Sequence, residues 1–159
     1  MKQLWAPWRL EYVQHADDGD ECVFCRAAEG DDEVELIVQR GVRAFVLLNK
    51  FPYSSGHLLV APYRHGVNFD GLDDAEILEI HQLGAKGLDA LRSVYKPEGF
   101  NLGWNIGRIA GAGIPDHGHL HVVPRWGGDT NFMPVLADVK VIPEHLVATR
   151  ARLAEAWPR

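Results

Sequence analysis

The segment Asp116-His-Gly-His-Leu-His-Val-Val-Pro-Arg-Trp126 decides how this chain of 159 residues is interpreted. Its composition predicts a β-strand from about His117 to Arg125. Side chains alternate between the two faces of a strand, so three histidines are expected on one face and the apolar Leu120 and Val122 on the other, toward a core. These histidines are His117, His119 and His121. Three imidazoles at alternate positions are typical of a functional cluster rather than of a merely solvated strand face.

Aligned imidazoles next to a glycine-rich loop favour phosphate chemistry. A neutral imidazole is a nucleophile and a proton carrier near pH 7. The loop Gly107-Arg-Ile-Ala-Gly-Ala-Gly113 comes just before the histidines, and glycines let backbone N–H groups approach a phosphate closely. A zinc site built from all three histidines is the alternative. It is disfavoured because neighbours at i, i+2 and i+4 do not readily converge on one metal.

The composition narrows the class of protein. Hydrophobic residues make up 47% and charged residues 24% of the chain, as in an ordinary globular domain. No stretch approaches the roughly 20 apolar residues of a membrane-spanning helix. Pro7, Arg9 and Glu11 interrupt the apolar run that a signal peptide needs, so a cytoplasmic location is expected. The net charge of −6 argues against a protein that grips nucleic acid through many phosphates.

The surrounding sequence predicts an α+β fold around an antiparallel sheet. The strongest helix signal has Asp73 as its N-cap, Glu76 in a capping-box position and Pro97 at its end. Strands are predicted on both sides of this helix. They cover residues 33–39 and 42–48 as a hairpin, 57–61, 100–106 and 117–125, with a further strand near 135–142 and a helix opened by Pro143.

Three blocks of sequence resemble one known family in content and in order. His117-Gly-His-Leu-His-Val-Val-Pro-Arg125 is similar to the signature of the histidine triad (HIT) superfamily of nucleotide hydrolases and transferases. Ser55-Gly-His-Leu-Leu-Val-Ala-Pro62 and the segment from Asn101 to Gly111 resemble two further blocks of that family. Leu4-Trp-Ala-Pro-Trp-Arg9 and the Pro-Arg-Trp that ends in Trp126 are similar to one branch, the bacterial diadenosine tetraphosphate phosphorylases and hydrolases.

The resemblance implies a fold and a division of the chain. The HIT fold is a five-stranded antiparallel sheet with one long helix and one or two shorter ones, commonly in a homodimer whose long helix and neighbouring strand lie at the two-fold axis. Residues 1–21 are then an N-terminal arm, 22–128 the HIT domain, and 129–159 a C-terminal strand and helix that complete the same domain.

The resemblance also implies roles for individual residues. His119 is the expected nucleophile, which forms a nucleotidyl-histidine intermediate. His121 is expected to contact the phosphate or to orient the nucleophile, and His57 to support the cluster from a neighbouring strand. The expected nucleotide-binding residues are Asn49 at the ribose, and Asn105, Gly111 and Gly113 at the phosphates. Asn49 and Asn105 could instead be turn residues, and His57 a buried histidine with ordinary hydrogen bonds.

The two cysteines of the chain, in Cys22-Val-Phe-Cys25, are spaced as in metal sites and in redox-active pairs. This motif alone is ambiguous between a redox pair and half of a zinc site. Nothing before Cys22 resembles the strand of a thioredoxin-like unit. HIT branches with this motif complete a zinc site with two histidines, and the matching positions are His65 and His117. A structural zinc ion is therefore favoured, and no redox cofactor is implied.

The sequence departs from the family pattern at two places. Gly118 stands where most members have an apolar residue, which predicts weaker packing behind the strand. The loop from Ala110 to Asp116 lacks the glutamine or serine that many members use against the phosphate, so only a backbone N–H is expected from Gly113.

The expected function is an enzyme that cleaves a dinucleoside polyphosphate through His119 and hands the nucleotidyl group to water or inorganic phosphate. The sequence leaves that acceptor open. A nucleoside phosphoramidase with the same nucleophile and a non-catalytic nucleotide-binding protein are the alternatives. The expected partners are a small nucleotide and a second copy of the chain, with no nucleic acid and no membrane.

Overall fold

The computed structural model describes residues 22–129 and 144–159. Within these ranges, three α helices and five strands follow one another along the chain. They are α1 (Val23–Glu29), β1 (Ile37–Arg40), β2 (Ala44–Leu48), β3 (Leu58–Pro62), α2 (Asp74–Tyr95), β4 (Gly99–Trp104), β5 (Leu120–Arg125) and α3 (Leu146–Glu155). The predicted N-terminal arm, the strand near 135–142 and Pro143 lie outside the described residues.

The five strands form one antiparallel sheet in the order β1-β2-β3-β5-β4. Strand β5 therefore lies between β3 and β4. In this register His121 pairs with Leu59 on β3 and with Gly103 on β4. The expected five-stranded antiparallel sheet with one long helix and two shorter ones is confirmed.

The long helix α2 begins as its sequence predicts. The Asp73 carboxylate accepts a hydrogen bond from the Glu76 backbone N–H at 2.8 Å, and the Glu76 carboxylate accepts one from the Asp73 N–H at 2.9 Å. This reciprocal pair is the predicted capping box. The helix ends where Lys96 adopts the left-handed conformation just before Pro97, which cannot continue a helix.

The main core lies between one face of the sheet and the helices α2 and α3. Leu120 and Val122 belong to this core, as the alternation of β5 predicts, and so does the fully buried Leu153 of α3. Two glycines of α2 allow a close approach to the sheet. A Cβ atom at Gly87 would lie 3.1 Å from the Leu58 Cδ1 atom, and one at Gly84 would lie 3.3 Å from the Leu120 Cδ2 atom.

A second apolar cluster covers part of the opposite face of the sheet. Helix α1 supplies Phe24 and Ala27, which pack on alternate residues of the first three strands. Those residues are Ile37, Phe45, Leu47, Leu59 and Ala61. The α1 cluster, as we call this group, therefore lies over β1, β2 and β3 and leaves the β5–β4 part of the face to other contacts.

Two predicted strand starts needed correction, and one helix was missed. Strand β1 begins at Ile37 rather than at residue 33, because residues 32–36 form a turn. Strand β5 begins at Leu120, so His117 and His119 precede it; the Gly118 N–H bonds to the Val67 carbonyl instead of a strand partner. Helix α1 was not predicted at all. None of the described helices is long and apolar enough to cross a membrane.

Candidate active site and metal centre

The histidines of the sequence signature are buried beside one another on the face of the sheet that carries the α1 cluster. His117 and His57 are fully buried, and His119 and His121 are 7% and 8% exposed. The ring centroids of His119 and His121 are 4.8 Å apart, and those of His57 and His121 are 5.1 Å apart. A solvated strand face is therefore not the explanation of this cluster, because buried imidazoles need specific partners.

A chain of hydrogen bonds links the loop before β3 to His121. The backbone N–H of Tyr53 donates to Nδ1 of His57 at 3.0 Å, so the neutral His57 ring carries its proton on Nε2. That atom lies 3.0 Å from Nδ1 of His121 and donates to it. The neutral His121 ring then carries its own proton on Nε2, so the two rings form a directed chain of hydrogen bonds that ends in an N–H donor.

His119 carries its proton on Nδ1 instead of Nε2, which leaves Nε2 as a nucleophilic nitrogen. Its Nδ1 atom lies 2.9 Å from the carbonyl oxygen of His117, and a carbonyl can only accept, so Nδ1 carries the proton. The lone pair is therefore on Nε2. Burial lowers the pKa of His119, although its hydrogen bond to the His117 carbonyl acts in the opposite direction. The ring is thus neutral near pH 7, as a nucleophile requires.

Phe24 of helix α1 packs against two of these histidines. Its ring centroid lies 4.7 Å from that of His119 and 5.0 Å from that of His117. The side chain is 2% exposed, so it excludes water from one side of both rings. Sequence reasoning missed Phe24. The signal was present, because a residue between two cysteines that are expected to share a site with His117 must lie close to that histidine.

Four side chains form a cluster suited to a metal ion. One ligand atom from each of Cys22, Cys25, His65 and His117 lies within 4.8 Å of the others. The Cys22 Sγ atom is 3.4 Å from Nδ1 of His117, and the Cys25 Sγ atom is 3.4 Å from Nδ1 of His65. A tetrahedral zinc ion with bonds of about 2.3 Å to sulfur and about 2.0 Å to nitrogen separates such atoms by about 3.5 Å. The donor set and its dimensions therefore fit zinc.

The orientation of His117 also suits metal binding. Its Nε2 atom donates to the carbonyl oxygen of Pro62 at 2.8 Å, so the lone pair of the neutral ring is on Nδ1, which faces both cysteines. A backbone carbonyl commonly fixes a metal-binding histidine in this way. Burial, together with the nearby His65 and His119, lowers the pKa of His117 and favours the neutral ring that a metal requires.

The predicted nucleotide-binding residues lie at different distances from this cluster. The Asn105 Nδ2 atom donates to the carbonyl oxygen of Gly111 at 3.4 Å. It also lies 3.3 Å from Nε2 of His121, but both nitrogens carry hydrogen in the assigned tautomer, so this distance is a close approach and not a hydrogen bond. The Asn49 Oδ1 atom accepts a hydrogen bond from the Phe51 N–H, and its Nδ2 atom is 3.3 Å from Nδ1 of His57. Asn49 is thus a turn residue that also borders the histidines. Gly113 lies on the same loop as Gly111.

Gly118 requires a correction to the predicted weak packing. A Cβ atom at this position would lie 2.8 Å from both the Val67 carbonyl oxygen and the Asn68 Cα atom. The segment that follows His65 therefore packs directly on the backbone between His117 and His119. Two hydrogen bonds join the same segments, from the Gly118 N–H to the Val67 carbonyl and from the Asn68 side chain to the Pro115 carbonyl.

Comparisons with known proteins agree with this geometry. The HIT domain family matches residues 33–128. The chain is 38% identical to the AP-4-A phosphorylase of Mycobacterium tuberculosis over the full chain and 86% of that protein. Two crystal structures are similar to it. A hypothetical histidine triad nucleotide-binding protein from Sulfolobus tokodaii has a TM-score of 0.69 and 27% identity, over 85% of this chain and 91% of that one. A Zn-bound histidine triad family protein from Mycobacterium smegmatis has a TM-score of 0.68 and 25% identity, over 86% and 92%.

Proposed function

This chain belongs to the HIT domain family, and from that premise we propose that it is an enzyme that cleaves dinucleoside polyphosphates such as diadenosine tetraphosphate. The observation that carries the proposal is the state of His119, a buried and neutral ring whose Nδ1 proton is held by the His117 carbonyl. Its Nε2 atom is therefore available to attack phosphorus. The similarity to an AP-4-A phosphorylase along the whole chain supports the choice of substrate.

In the first step, Nε2 of His119 attacks the phosphorus next to one nucleoside. A nitrogen–phosphorus bond forms, the bond from phosphorus to the bridging oxygen breaks, and that oxygen keeps the bonding electrons as a nucleoside triphosphate leaves. The Nε2–H of His121 donates a hydrogen bond to this oxygen and stabilises its negative charge, while the Nε2–H of His57 holds Nδ1 of His121. The His117 carbonyl stabilises the positive charge that develops on the His119 ring.

In the second step, an oxygen of water or inorganic phosphate attacks the same phosphorus. The nitrogen–phosphorus bond breaks, and its electrons return to Nε2 of His119. The attacking oxygen releases its proton to solvent, and His119 returns to its starting state. Water as the acceptor yields a nucleoside monophosphate, and inorganic phosphate yields a nucleoside diphosphate.

The remaining predicted residues are proposed to hold the substrate. Asn105 and the backbone around Gly111 and Gly113 bind phosphate oxygens, and their support is the position of the Asn105 amide between His121 and Gly111. Asn49 binds the ribose hydroxyls on the other side of the cluster, next to His57.

We also propose that Cys22, Cys25, His65 and His117 hold a structural zinc ion. When bound, zinc would cross-link the start of α1 to the segments that carry the two histidines. The part of this cluster that would act in catalysis is the backbone of His117, whose carbonyl oxygen orients the nucleophile.

The rest of the chain is proposed to follow the family pattern. Residues 129–159 complete the domain formed by 22–128, and the support is Leu153, which lies in the main core. The enzyme is proposed to be a homodimer that acts on small nucleotides in the cytoplasm. The net charge of −6 supports small nucleotides over nucleic acid.

The test is chromatography of the products from diadenosine tetraphosphate, with and without inorganic phosphate. The wild type should yield ATP with AMP if it is a hydrolase, or ATP with ADP only in the presence of phosphate if it is a phosphorylase. His119→Ala should abolish turnover. The matched control is His81→Ala, because His81 is an exposed histidine on α2, and it should be fully active.

A wild type without turnover would contradict the proposal. Adenosine 5′-phosphoramidate would then test the phosphoramidase alternative. Failure on both substrates, with nucleotide binding retained, would instead establish a binding protein.

A further inference from the structure

A cavity of about 390 Å³ lies next to His121, on the β5–β4 part of the sheet face. Its walls include Tyr53, Asn101, Gly103, Arg125 and Asp129. The α1 cluster covers only β1, β2 and β3 on this face. The cavity therefore lies on the opposite side of the histidines from Phe24, and His121 stands at its inner end.

The space exists because strand β4 presents small side chains on this face. Gly103 pairs directly with His121, and Asn101 is its next neighbour on the same face. A Cβ atom at Gly103 would meet no atom within 4 Å, and its backbone is outside the left-handed region, so no local packing or strain requires glycine there. A glycine within a strand often marks a place where a ligand approaches closely.

A guanidinium group lies at the far end of the cavity. Arg125 is on the same face of β5 as His121, four residues further along, which corresponds to about 13 Å. The Asn101 Oδ1 atom accepts from Nη1 at 2.8 Å, and the Asp129 carboxylate accepts from Nε and Nη2 at 2.5 and 3.0 Å. These contacts fix the plane of the group and use three of its five N–H donors, so within the described part of the chain the group can still bind an anion.

We propose that this cavity binds the leaving half of the substrate, with the polyphosphate chain running from His121 toward Arg125 and the second nucleoside beyond it. This inference rests on the proposed function, in which the leaving oxygen accepts a hydrogen bond from the Nε2–H of His121. A leaving group that starts at His121 enters this cavity, because the α1 cluster occupies the other direction. The cavity then determines that the substrate is a dinucleoside polyphosphate rather than a nucleotide with a small leaving group.

The inference predicts that cavity variants distinguish between substrates. Gly103→Leu fills the space next to His121 without backbone strain, and Arg125→Gln removes the cation at the far end. Both should lower kcat/KM for diadenosine tetraphosphate at least about 10-fold, which corresponds to about 1.4 kcal/mol. Both should keep kcat/KM for adenosine 5′-phosphorofluoridate within about threefold, because fluoride is too small to reach the cavity. Arg92→Gln, at an exposed ion pair on α2, is the matched control and should change neither rate.

A second measurement does not depend on turnover. In the His119→Ala background, Gly103→Leu should weaken binding of diadenosine tetraphosphate about 10-fold or more and leave binding of AMP unchanged, as measured by calorimetry. Equal effects on the two ligands, or no effect on either, would overturn the subsite while the proposed function stands. A wild type that turns over phosphorofluoridate but not diadenosine tetraphosphate would contradict the proposed function itself.

Discussion

Adding a single methyl group at Gly118 tests whether the two histidine-bearing segments pack as closely as the structure shows. The Cβ atom of Gly118→Ala would lie 2.8 Å from the Val67 carbonyl oxygen and from the Asn68 Cα atom, and 3.2 Å from the Asn68 Oδ1 atom. The first two are backbone atoms and cannot rotate away as the end of a side chain would. One segment must therefore move.

The expected cost follows from these contacts. Overpacking of a well-packed site costs about 1–3 kcal/mol. The movement also stretches the 2.8 Å hydrogen bond from the Gly118 N–H to the Val67 carbonyl, which contributes about 1 kcal/mol. We therefore expect a loss of at least about 2 kcal/mol of unfolding free energy. For a protein of this length that loss lowers Tm by about 4–8 °C.

Thermal and urea unfolding measure this loss, and kcat for diadenosine tetraphosphate should fall with it because Gly118 adjoins His119. Gly99→Ala is the matched control, since a Cβ atom there meets nothing within 4 Å. That variant should keep or slightly raise Tm, because alanine restricts the unfolded chain. If Gly118→Ala melts within about 1 °C of the wild type, the close approach is not a constraint and the reasoning is refuted.

Four further predictions follow from other parts of the molecule. Elemental analysis should find about one zinc ion per chain and none in Cys22→Ser; a metal-free wild type of equal stability would refute the zinc site. Phe24→Leu should lower kcat about 2- to 10-fold, because that factor corresponds to the free energy of one contact between aromatic rings. An unchanged kcat in a folded variant would exclude a positioning role for Phe24. Glu76→Gln should cost about 1 kcal/mol in urea unfolding, because glutamine keeps the hydrogen bond of the capping box but loses the ion pair with Arg64. Because Arg64 lowers the folded-state pKa of Glu76, this stabilisation is present above the unfolded-state value near 4.5 and disappears as the pH falls through the lowered pKa; a difference between the two proteins that stays constant into acid would contradict it. Light scattering should give twice the chain mass of 17.8 kDa, and a monomer would remove the homodimer.

The sequence predicted those parts of the fold that depend on local pattern. The spacing of residues predicts the capping box of Asp73 and Glu76 and the end of α2 before Pro97. It also predicts that Leu120 and Val122 face the core. Helix α1 was missed because its seven residues are too few to show a helical period, and no side chain caps its start at Cys22.

The site was predictable only where a motif carried the information. The resemblance of the His57 and His119 blocks to a known family anticipated side chains that lie far apart along the chain. The contact of Phe24 with His119, the hydrogen bond from Tyr53 to His57 and the packing of Val67 on Gly118 had no such motif. Each joins segments that are distant or irregular, and periodicity within a single segment carries no information about them. The error at Gly118 has the same origin, because a missing side chain looks like lost packing until the neighbouring backbone is known.

One residue connects the cluster of two cysteines and two histidines to His119. Nδ1 of the His117 ring faces the cysteines, and its Nε2–H donates a hydrogen bond to the Pro62 carbonyl oxygen. The backbone carbonyl oxygen of His117 accepts a hydrogen bond from Nδ1–H of His119. The α1 cluster next to it is separate from the main core, which lies between the sheet and helices α2 and α3. Substitution of Cys22 or Cys25 therefore removes a contact of His117 without opening that core. Activity should then fall further than stability, since the orientation of His119 depends directly on the backbone of His117, whereas most of the buried apolar surface does not.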